Sequence, residues 1–168
     1  WETLMQTHVY NPLGMNSIRL GQAPPNGASG IWEHSVSGAG LMPRLNPDAG
    51  QSASEAHAPA GRNVHASIGD LAKFLAANMT YAKHRPNIVQ QGTLTQMHNA
   101  LGPGDNRMNA GTYSQGGWQR TASPFGGPRP VITKNGLNGF NFADTVVSPW
   151  ENVAIATMTN VGAPRGNA

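Results

Sequence analysis

The stretch "RPVITKNGLNGFNFADTVVSPWENVAIATMTN", residues 129–160, decides the fold. It contains three runs rich in β-branched and aromatic residues, "RPVIT", "FNFADTVVS" and "NVAIATMTN", and such runs read as strands. The last two are separated by "PWE", a hairpin-length connection, so an antiparallel meander is the economical arrangement. In the final run Val153, Ile155, Thr157 and Thr159 share one face, and Ala154, Ala156 and Met158 share the other. Both faces are small or apolar, which predicts a sheet covered on two sides. Between the first two runs lies "TKNGLNGF" (133–140). Its Gly and Asn residues are the usual formers of turns, yet they surround Lys134 at the predicted strand end, in a chain with only 11 Lys and Arg.

Working outward, "TYSQGGWQR" (112–120) reads as one more strand, while the pattern before it is helical. In "NVHASIGDLAKFLAANM" (63–79), Ser67 is suited to an N-cap, with Asp70 three residues on. The pair resembles a capping box, and its acid suits the positive end of the helix dipole. Ile68, Leu71, Phe74, Leu75 and Met79 then form an inward stripe, with Lys73 and Asn78 free to face water. "TLTQMHNAL" (93–101) predicts a shorter helix with Leu94, Met97 and Leu101 inward. At the start, Trp1, Leu4, Met5, His8 and Val9 fall at helical spacing. That helix is expected to stop at "YNPLGM", because Pro12 disfavours the α region for Asn11. Residues 16–63 keep no period for long and carry turn formers, as a functional wall or lid would. Helices and loops followed by consecutive strands give an α+β class.

A chain of 168 residues fits one domain with a real core. A helical and loop region over 1–110 would precede a sheet region over 111–168. The 21 Gly and 13 Pro predict many loops, without the charge or repeats of a disordered chain. The formal charge of +3 comes from basic residues scattered along the sequence. A nucleic-acid footprint needs them clustered, so nucleic acid is not an expected partner. Zero cysteines exclude disulfides and thiol catalysis. No apolar run reaches the ~18 residues of a membrane span. The six histidines include no HExxH and no tight pair with an acid, so neither a metal nor a cofactor is expected.

Four segments, in order, carry a resemblance: "NPLGM" (11–15), "PAGRNVHASIGDLAKFLAANM" (59–79), "YSQGGW" (113–118) and "ITKNGLNGFNFADTVVSPWENVAIATMTN" (132–160). Together they resemble the C-terminal part of the serine β-lactamase-like family, which includes class C β-lactamases, penicillin-binding D-Ala-D-Ala peptidases and related esterases. The resemblance implies an antiparallel sheet flanked by helices, and hydrolysis of an amide or ester through an acyl-serine. It implies a small-molecule or peptide acyl substrate and a periplasmic or secreted location. Lys134, Asn135 and Gly136 match the family's Lys-Thr/Ser-Gly strand. Leu137 matches the position whose backbone N–H contributes to the oxyanion hole, and Asn138 lies beside it as a further substrate contact. Asn135 departs from the family's hydroxyl, which helps bind a substrate carboxylate; an amide donates from a different place.

None of the ten serines has a lysine three residues on, and no tyrosine has an asparagine two residues on. In the family those nucleophile and base motifs precede the segment resembling "PLGM". The expectation is therefore a piece of a longer hydrolase, truncated before its final helix, that supplies one wall of the site and is inactive alone. Two alternatives stay open: a non-catalytic homologue that binds or has a structural role, and an unrelated α+β binding module.

Overall fold

A computed structural model describes residues 1–20, 32–38, 40–43, 64–79, 87–101, 113–137 and 140–162. Four antiparallel strands form the main sheet: β5 (Gln119–Thr121), β6 (Val131–Leu137), β7 (Phe142–Ser148) and β8 (Val153–Thr159), in that spatial order. The strands before them are short. β1 (Arg19–Leu20) pairs with β4 (Val64–His65), and β2 (His34–Ser37) with β3 (Gly40–Pro43), both antiparallel. The region expected to hold only helices and loops thus also carries two small sheets. The helices are α1 (Glu2–Met5), α2 (Ile68–Ala77) and α3 (Gln91–His98).

The predicted meander is present, with Ser148 opposite Val153 across the loop of residues 149–152. Asn152 closes that loop at φ +53°, a left-handed conformation that Asn tolerates. The predicted strand around "GGW" is instead a tight turn. Tyr113 bridges to Gln119, and Ser114 N–H donates to Trp118 O at 2.8 Å. Gly117 sits at φ +79°, and a Cβ on Gly116 would lie 2.9 Å from Met97 O. One glycine makes the turn possible, and the other lets it press against α3.

Residues 1–15 differ from the simple helix expected. After α1 the chain widens into a π-helical segment, Gln6–Tyr10. Asn11 keeps α geometry (φ −62°, ψ −50°) despite Pro12, and Leu13 N–H still reaches Val9 O. A proline ring in a helix collides with the carbonyl four residues back, and the wider π turn relieves that crowding. The widening also rotates the apolar face. Trp1 and Leu4 point to solvent, while Tyr10, Leu13 and Met15 are buried together. The helix ends as a Schellman motif: Gly14 at φ +64°, its N–H to Asn11 O at 3.0 Å, and Met15 N–H to Tyr10 O at 2.9 Å. "PLGM" is a helix terminator with its hydrophobic contact supplied by Met15 and Tyr10.

Helix α2 lies between two apolar clusters. Ala77 joins Tyr10, Leu13 and Met15 on one side. Leu75 meets Trp118, Ile132 and Val147 on the other, where Ala154 and Ala156 also pack. Phe74 touches both clusters and stacks on Trp118, with centroids 6.4 Å apart and planes 17° apart. Ile68, expected inward, is exposed in the first turn. Asn78, expected to face water, is buried. Its Nδ2 donates to Phe74 O at 2.9 Å, and its Oδ1 faces His98 Nε2 at 3.3 Å, tying α2 to α3. On β8 the face bearing Ala154 and Ala156 is covered, whereas Val153 and Ile155 are exposed, so the described sheet is covered there on one face only.

The capping pair is realised, with Asp70 N–H donating to Ser67 Oγ at 3.2 Å. Asp70 also binds distant partners. It accepts from Ser17 N–H and Ser17 Oγ, both at 2.6 Å, and from Lys73 Nζ at 2.6 Å. Lys73 donates in addition to Gly14 O in the Schellman turn. One carboxylate thereby ties the start of α2 to the chain that follows the Schellman turn. Hydrogen bonds from Lys73 and then Ser17 hold Asp70 well below its ordinary value of 3.8, at about 2. Since the folded value is the lower one, the contribution is complete above the unfolded value and disappears as pH falls toward 2.

Two outcomes follow. Thermal melts between about pH 5 and about pH 2 should show wild-type stability falling more steeply than that of Asp70→Asn, which lacks this titration and is less stable at neutral pH. Gly116→Ala should cost roughly 1–3 kcal/mol in denaturant unfolding, because its methyl meets backbone rather than a flexible side chain.

Candidate active-site strand

The residues matched to the Lys-Thr/Ser-Gly motif all lie on β6, which runs through "TKNGL" instead of turning there. Pairing with β7 holds it extended: Lys134 opposite Thr145, Asn135 opposite Asp144, Gly136 opposite Ala143, and Leu137 opposite Phe142. Thr145 Oγ1 also donates to Lys134 O at 2.7 Å, fixing the lysine's backbone to β7.

On its other side β6 pairs with β5 only from Val131 to Thr133. From Lys134 to Leu137 the strand has a neighbour on one edge alone among the described residues. All four residues are exposed. A strand edge with unpaired N–H and C=O groups is a template for an extended chain. Gly136 adds room, since a Cβ there would meet nothing within 4 Å among the described residues, and its φ is not left-handed. Glycine in a strand costs stability relative to a residue with a side chain. Neither internal crowding nor backbone geometry demands it here.

Cross-strand partners share a face, so the register assigns each side chain. Lys134 belongs with Ile132, Thr145 and Ala156 on the face that carries the core around Leu75 and Trp118. Its Nζ reaches Gly117 O in the "GGW" turn at 3.4 Å. Asn135 and Leu137 point to the opposite face, where Asp144 stands directly across from Asn135. The Asp144 carboxylate accepts from Thr145 N–H at 3.0 Å. Asn138 lies outside the described residues.

Three contributors were not visible in the sequence. Gly117 is 17 residues from the lysine it receives, and Thr145 and Asp144 acquire meaning only through the β6–β7 register. Among the described residues no group of His, Asp or Glu is arranged to hold a metal ion.

Comparison with known proteins bears on the family and the fold. The family model described as Beta-lactamase matches residues 1–168. The fold is similar to that of an octameric penicillin-binding protein homologue from Pyrococcus abyssi (TM-score 0.64, 16% identity, 95% of this chain and 33% of that one). It is similar also to a β-lactamase/D-alanine carboxypeptidase from Pseudomonas syringae (TM-score 0.62, 16% identity, 96% and 49%). A third similar structure is a D-alanine carboxypeptidase from Burkholderia cenocepacia (TM-score 0.64, 18% identity, 96% and 50%). The chain thus spans between a third and a half of the length of these structures. No curated protein matches it. With the strand order, the "GGW" turn against β6 and the family match in agreement, the chain belongs to the beta-lactamase family.

Proposed function

We propose that this chain forms the substrate-side wall of a serine hydrolase that cleaves an amide or ester through an acyl-serine. The observation that carries the reading is the one-sided edge of β6 from Lys134 to Leu137, with open space at Gly136. An extended acyl substrate would lie along that edge like an added strand. In this reading Lys134 provides positive charge beside the reacting carbonyl, and the Leu137 N–H is one donor to the oxyanion. Asn135 and Asn138 contact the remainder of the substrate. The serine and its base come from residues outside this chain, since the sequence holds neither Ser-x-x-Lys nor Tyr-x-Asn. Alone, these residues bind and orient without forming the acyl bond.

The pairing of Asn135 with Asp144 narrows the substrate class. A Thr or Ser at position 135 would offer a hydroxyl to a substrate carboxylate; here an amide stands in its place, with an acid directly opposite on the same face. Like charges at that range repel. The arrangement favours a neutral ester or amide over penicillins and D-Ala peptides.

Labelling of the full-length protein by a fluorophosphonate or a fluorescent penicillin tests the reading. Lys134→Ala should slow acylation by about 10²-fold, the usual size for removing one preorganised electrostatic group. Gly136→Val should block acylation while leaving the thermal midpoint nearly unchanged, because the added side chain enters open space. No labelling of the wild-type protein would establish the alternative of a non-catalytic homologue. Asp144→Asn should raise kcat/KM for a carboxylate-bearing substrate relative to a neutral ester; an unchanged ratio would remove the specificity claim.

A further inference from the structure

A separate cavity of about 240 Å³ lies at the opposite end of β6, between α3 and the β7–β8 hairpin. Its walls are Ile132, Pro130 and Pro149 together with the Trp150 ring. Two arginines line it, Arg120 and Arg129. Arg120 is the register partner of Ile132, so its side chain emerges on the same face of the sheet, on the hairpin side of Lys134. Arg129 lies over the Trp150 ring, with its guanidinium carbon 3.8 Å from the ring centroid.

Neither arginine has an ion-pair or hydrogen-bond partner among the described residues, and no described acid lines the cavity. Glu151, the nearest in sequence, points at Gly127 instead. Two positively charged side chains lining one small cavity favour an anion in it. Their planar forks match a carboxylate in bidentate fashion. The stacking on Trp150 holds Arg129 in place beforehand, which lowers the entropy lost when an anion binds. Pockets for drug-sized ligands run about 300–1,000 Å³. This one is smaller and suits a single ring.

We propose that the cavity is a second binding site, distinct from the β6 edge, for a small organic carboxylate on a flat apolar body. The carboxylate lies between Arg120 and Arg129, and the body packs on Ile132 and the two prolines.

Titration of the full-length protein with benzoate, followed by the indole N–H resonance of Trp150, tests this. The resonance, assigned through Trp150→Phe, should shift saturably. Arg120→Ala and Arg129→Ala should each weaken binding by about tenfold or more, as expected for losing a charged hydrogen-bonding partner. Benzamide and inorganic phosphate should each bind at least about tenfold more weakly than benzoate, since one lacks the charge and the other the apolar body. Either of them binding as well as benzoate would overturn the proposal, as would a non-saturating shift or equal affinity in the double arginine variant. Both arginines stand apart from the core clusters, so far-UV dichroism of the variants should match wild type.

Discussion

The structure turns on the change in pairing along β6. At Ile132 and Thr133 the strand has neighbours on both edges, and Val131 and Ile132 are almost wholly buried. From Lys134 to Leu137 only β7 remains among the described residues, and every residue is exposed. The first half anchors and the second half presents. Ile132 contributes to the cluster with Leu75, Trp118 and Val147, so the exposed half is an extension of a rigid element. A strand held this way keeps its open edge straight with no loop to order on binding, which is what a preorganised site requires.

The rest of the fold supports that anchor in layers. The "GGW" turn puts Trp118 into the core and Gly117 O beside Lys134, so one short turn serves both packing and the candidate site. Helix α2 covers the sheet on the Leu75 side and takes the N-terminal cluster on the other. Its placement depends on Asp70, whose carboxylate gathers Ser17 and Lys73 around the helix start while its backbone N–H donates to the Ser67 cap. Lys73 then closes the circuit by capping the turn at Gly14. Buried carboxylates are stable when their charge is met by several donors, and here the donors come from two distant segments.

Much of this was legible because it depends on short spacings. The capping pair at Ser67 and Asp70, the Leu75 stripe, the hairpin across residues 149–152 and the α+β order follow from neighbours within a few residues. The failures have a common origin in long-range partners. Asn78 reads as a polar residue near a helix end, but His98 is 20 positions away and brings it inside. The first helix reads as regular, yet the crowding at Pro12 is relieved by a π turn that rotates its apolar face. "TKNGL" reads as a corner from the poor strand propensity of Asn and Gly and as a strand only through the family resemblance; the ladder to β7 makes it a strand.

The sequence by itself determined the Leu75 stripe, the runs of the strand meander and the order of segments that marks the family, since each is written in local residue chemistry. Only the tertiary structure decided that Lys134 to Leu137 form a half-paired strand, that Asp144 faces Asn135, and that Arg120 and Arg129 line one cavity. Those facts depend on strand register. A shift of one residue would send Arg120, Lys134, Asn135 and Asp144 to the other face of the sheet, and register is set by pairing across the fold.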